Sequence, residues 1–78
     1  MNAVILQHDI MQRQRDENLM LVVAVEQYAQ KYGISTAASF ALFRQHGVNT
    51  LIRQHYNALH TQSLDESFYF AEDVLNRN

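Results

Sequence analysis

Punctuation constrains this chain more than any other feature: its 78 residues include two glycines and no proline. A sheet needs repeated turns, and Gly and Pro are the strongest turn signals, so a supply of them this sparse favours helices. Gly33 and Gly47 then divide the chain. A helix is expected over about Asp9 to Tyr32, with Gly33 in the left-handed position that closes helices. Ser35 starts a second helix, which carries Phe40 and Phe43 on one face and closes at Gly47. A third begins at Val48 or Asn49, and in it Val48, Leu51, Ile52, His55, Tyr56 and Leu59 recur as one apolar stripe. After a connector at Thr61 and Gln62, Ser63 and Glu66 have the spacing of a capping box for a fourth helix, whose apolar set is Leu64, Phe68, Ala71 and Leu75.

The expected fold is all-α, a small bundle of about four helices forming one domain over residues 1–78, with residues 1–8 flexible. The aromatic run in "SFYFAEDV", Ser67 to Val74, leaves a short extended segment before the last helix as the alternative. The core is expected around Phe40, Phe43, Leu51, Ile52, Leu59, Phe68 and the inward residues of the first helix. A domain this short has a stability on the order of a few kcal/mol and little room for a deep active site.

The run "LMLVVAV", Leu19 to Val25, bears on association, because seven consecutive apolar residues cover every direction around a helix axis. Either the other helices wrap this one centrally, or part of it meets another chain. Leu21, Val25, Tyr28 and Tyr32 are the candidate interface, and the expected partner is a protein or a second copy of the chain. The same run falls well short of the roughly 20 apolar residues that span a bilayer. The N-terminus has no basic residue ahead of its apolar stretch and no small-residue cleavage pattern, so the chain reads as cytoplasmic, with no membrane role. The formal charge is −2, and the six basic residues are scattered, which disfavours a nucleic-acid footprint.

Chemistry is tested most directly in "HYNALHTQSLDE", His55 to Glu66. The four histidines are His8, His46, His55 and His60, and there is no cysteine. His55 and His60 are separated by about 140° around a helix and cannot chelate from one regular face, so neither metal nor cofactor is expected. Nucleophilic catalysis needs a Ser or Thr beside a His that a third group orients. His60 and Thr61 are neighbours, and Glu66, Glu72 and Asp73 are available acids, but no glycine elbow, oxyanion turn or phosphate loop accompanies them. The simpler reading is structural: His60 caps the last carbonyls of its helix, His55 is a partly buried imidazole on the stripe, and Tyr56 is core with its hydroxyl at an edge. A helix-turn-helix about Gly47 would place Phe43 where a small residue belongs and Arg53 at an inward position. Its recognition face would be Asn49, Thr50, Arg53, Gln54 and Asn57, which carries a single charge.

From about Leu21 onward the chain resembles a group of small bacterial proteins known as domain of unknown function three-seven-nine-one. The resemblance rests on Phe43, Gly47, Val48, Ile52, Tyr56, Leu59, His60 and Thr61, followed by Asp73 and Val74, and is most specific across Tyr56 to Thr61. The spacer "QSLDESFYF" is longer than the family pattern, and the segment before Leu19 is an addition to it. The resemblance implies no established activity. It implies an accessory protein encoded near ADP-ribosyltransferase-like proteins, and hence a toxin-neutralising or partner-binding role. The expectation is therefore a noncatalytic interaction module, antitoxin-like in character. Two alternatives stand beside it: a small enzyme or ligand-binding protein using Tyr56, His60, Thr61 and Asp73, and a helical DNA-binding protein.

Overall fold

The computed structural model describes the backbone of residues 3–63 and 65–77 and the side chains of residues 11–63 and 65–77. Five helices follow in order: α1 Ala3–Tyr32, α2 Thr36–Gln45, α3 Val48–Gln54, α4 Tyr56–Leu59 and α5 Asp65–Arg77. No strand occurs among the described residues, and "SFYFAEDV" is helical throughout. Leu64, read as the first apolar residue of the last helix, lies outside the described residues, as does the side chain of His8. The first helix begins at Ala3, ahead of the expected start near Asp9.

Both glycines take the left-handed conformation, with φ of 64° at Gly33 and 69° at Gly47. At the first, the Ile34 N–H donates to the Ala29 carbonyl at 3.0 Å, the bond that closes a helix through a left-handed glycine. Ser35 then caps α2, its hydroxyl oxygen accepting from the Ala38 N–H at 3.0 Å.

The long α1 is the axis on which the others pack. Met20, Leu21, Ala24, Val25, Tyr28 and Ala29 are its buried residues. Phe43, Val48, Ile52, Leu59, Phe68 and Ala71 complete the core, with Tyr28 meeting the edge of Phe43 at 5.8 Å between ring centroids. Gln27 meets Asp65, and further along Lys31 and Tyr32 meet Glu72, so α1 and α5 run in the same direction. On another side Arg53 meets Glu17 and Asn18 while Tyr56 meets Asp16, so α3 and α4 run against α1.

The expectations for Phe40, for a single third helix, for a partly buried His55 and for Leu51 need correction. Phe40 is not core: α2 turns Ser39 and Phe43, four apart, inward, and Phe40 is left 39% exposed. Helix contact at Ser39 is close, its hydroxyl donating to the Val25 carbonyl at 2.8 Å, and this short buried side chain fixes the rotation of α2. The expected third helix is two, because the backbone at His55 leaves helical geometry (φ −98°, ψ 14°). That break rotates the stripe, keeping Leu59 buried while His55 is exposed with its ring 5.3 Å from Phe70. An imidazole is costly to bury without a partner, and the kink avoids doing so. Finally, Leu51 is half-buried rather than central.

Candidate functional site

The Tyr56 to Thr61 turn is closed by its own side chains. His60 Nδ1 lies 2.9 Å from the Tyr56 carbonyl, an acceptor, so this nitrogen carries the proton. The two rings stack at 4.7 Å and 5°. Thr61 Oγ1 donates to the Ala58 carbonyl at 2.9 Å. The Tyr56 carbonyl thus accepts twice from His60, from its backbone N–H at 2.9 Å and from its ring, while Thr61 satisfies a carbonyl at the helix end.

Tyr56 ties this turn to α1. Its hydroxyl donates to Asp16 at 3.4 Å, and the Arg13 guanidinium lies over its ring at 5.1 Å. Burial, and then the Asp16 carboxylate, hold the phenol above its ordinary pKa. Beside it Glu17 accepts from Arg13 at 2.9 Å and from Arg53 at 3.4 Å, and Arg53 also donates to Asn18 at 2.7 Å. The most basic residue of the would-be recognition face is therefore engaged within the chain.

Tyr56 and His60 line one small cleft with Asp16, Leu19 and Met20. Asp73 is not part of it and pairs instead with Arg77 on the same helix, at 2.6 Å. The four motif residues are thus divided between two places, and the turn presents no nucleophile, base and orienting acid in sequence. Among the described residues no three His, Asp or Glu side chains converge as a metal site.

A third cluster joins α1 to α5. Glu72 accepts from Lys31 at 2.5 Å and from Tyr32 at 2.6 Å. The Lys31 bond, and then the Tyr32 bond, hold the Glu72 carboxyl below the ordinary carboxylate range. Glu72 in turn raises both Lys31 and Tyr32.

The open surface lies elsewhere, between α1 and α2. Leu21, Val22, Val25, Ala37 and Phe40 line a groove of about 450 Å³, with Glu26 and Thr36 at its edge. Leu21, Val25 and Tyr28, read from sequence as interface, are buried, because spacings of four and three place them on the inward face. Leu21 and Val25 nevertheless form part of the groove wall. The exposed members of the apolar run are Leu19, at 59%, and Val22, at 55%. Sequence reading missed these two, and Phe40 with them; the signal available was that residues offset from Leu21 and Val25 on a fully apolar run must face out.

The fold and these surfaces define a small all-α bundle with a polar, closed turn on one flank of its long helix and an apolar groove on another. Among the described residues no helix is long and apolar enough to cross a membrane. Residues 19–78 match the sequence profile of the family described as a protein of unknown function, DUF3791, and the chain belongs to that family. The match begins at the first residue of the apolar run and leaves out the N-terminal part of α1. Neither the curated proteins nor the solved structures contain a significant match.

Proposed function

We propose that this protein is a noncatalytic protein-interaction module that docks through the groove between α1 and α2. The observation that carries the reading is the concentration of exposed apolar side chains there. Val22 and Phe40 line the groove and remain in solvent, with Leu19 exposed one turn before Val22 on α1, on a chain with little area to spare, whereas the polar residues of the Tyr56 turn are occupied in holding the turn. The resemblance to proteins encoded beside ADP-ribosyltransferase-like proteins supports an antitoxin-like accessory role, with such a protein as the first heterologous partner to test.

The test is a photo-crosslinking amino acid placed at position 22 or 40 in native cells, with position 73, on the far helix, as comparison. Adducts are expected from positions 22 and 40 and not from 73. Absence of any adduct at position 22 would remove the proposal.

A further inference from the structure

One face of α1 carries Met11, Arg15, Leu19, Val22 and Glu26, at spacings of four, four, three and four. On a helix these fall within an arc of about 80°. Met11, Leu19 and Val22 are each more than half exposed, and Glu26 is partly exposed. Among the described residues Arg15 and Glu26 have no ion-pair partner, and nor does Arg44, which lies over the Phe40 ring at 5.9 Å, whereas Arg13, Lys31, Arg53 and Arg77 do. The stripe therefore offers a cation toward one end, an anion at the other and two large apolar side chains, each more than half exposed, between them.

Its symmetry says what fits. Arg15 and Glu26 are centred on the point midway between Met20 and Leu21, and so are Leu19 and Val22. A two-fold axis through that point, perpendicular to the helix, sets two α1 helices antiparallel. It places Arg15 of each copy against Glu26 of the other and Leu19 against Val22 in the same operation. Each ion pair then lies about 8 Å along the helix from the axis, within reach of two long side chains across helices about 8–10 Å apart. Leu19 of the second copy comes beside Val22, Ala37 and Phe40, the groove that α2 leaves open. A closed, isologous two-fold contact of this kind is the commonest arrangement among homo-oligomers.

We propose that the occupant of the α1–α2 groove is a second copy of this chain, joined through an antiparallel α1 pair with reciprocal Arg15–Glu26 contacts. The proposal rests on the interaction-module reading and names its partner.

Sedimentation velocity of the full chain across a concentration series tests it, with circular dichroism confirming that each variant keeps its helices. The wild type sediments as a dimer. Arg15→Glu and Glu26→Arg each weaken the dimer by about tenfold, since two attractive pairs become repulsive, and Arg15→Glu combined with Glu26→Arg restores it to within about threefold. Val22→Asp, at an exposed position, gives a folded monomer. A wild type that stays monomeric to millimolar concentration overturns the proposal. So does a dimer indifferent to Val22→Asp, or single reversals that the combined variant fails to rescue. A monomer that still cross-links through position 22 to a different protein overturns self-pairing and leaves the interaction module standing.

Discussion

Along the flank of α1 that faces α3 and α4, the polar groups are matched: Arg13 with Glu17, Glu17 with Arg53, Arg53 with Asn18, and Asp16 with Tyr56. Along the flank beside α2, Val22 and Phe40 face solvent, and on the same exposed stripe of α1 Leu19 is uncovered and Arg15 and Glu26 have no such partner among the described residues. One helix thus carries a seam that the fold completes and a stripe that it does not. The contrast teaches where to look for function in a small bundle. A conspicuous cluster of polar residues can be wholly occupied by helix ends and inter-helix pairing, whereas uncovered apolar surface has no such account within the chain.

The largest effect expected is on the buried side of α2. Phe43 is 0% exposed, and Phe43→Ala should cost about 3–5 kcal/mol in urea unfolding, while Phe40→Ala, three residues away, should change monomer stability by less than about 1 kcal/mol. Equal costs would mean that the groove flank is core after all, and the comparison would break. Next in size is Gly47→Ala, at about 1–2 kcal/mol, because φ is 69° there. A Cβ at this position meets nothing within 4 Å, so the cost is conformational, and Gly33→Ala should behave alike. A change below about 0.3 kcal/mol in both would remove the left-handed turns from the account.

Smaller effects come from titration. The folded pKa of Glu72 is depressed, so its pairing with Lys31 and Tyr32 stabilises the protein above the ordinary carboxylate value of 4.5 and is lost as pH falls through the lower folded value. Glu72→Gln should therefore flatten the acid side of a stability–pH profile. Tyr56 has a raised folded pKa, so its contribution is complete below the ordinary value of 10.0 and is lost as pH rises through the folded one. Tyr32 and Lys31 are raised in the same sense, so Tyr56→Phe should reduce the alkaline loss without abolishing it. An alkaline profile unchanged by Tyr56→Phe would show that the seam does not depend on that hydroxyl.

Much of the fold was legible in the sequence because its signals are local. Two glycines, a serine cap and periodic apolar residues set the helices, and Ile52, Leu59, Phe43 and Phe68 are buried as their spacing implies. The kink at His55 was not legible: the spacing of Val48 to Leu59 fits one straight stripe, and only the competition between burying an imidazole and burying Leu59 divides it. Phe40 and Phe43 look equivalent on a helix, and what separates them is the Ser39 hydroxyl held by the Val25 carbonyl, a contact between helices. The apolar run is longer than the fold buries, and Leu19 and Val22 stay exposed. Which of its residues were surplus depended on where α2 and α5 came to rest, so Leu21 and Val25 were taken for surface in place of Leu19 and Val22.

With docking through the α1–α2 groove, as proposed, association and fold maintenance fall to different faces of α1, and the decisive measurement sets side by side the urea midpoint and the association constant of Val22→Asp and His60→Ala. Val22→Asp should abolish association and leave the monomer's stability within about 0.5 kcal/mol, whereas His60→Ala should lower stability by about 0.5–1 kcal/mol and leave association intact. The reverse pattern, with His60→Ala losing the complex and Val22→Asp retaining it, would contradict the account.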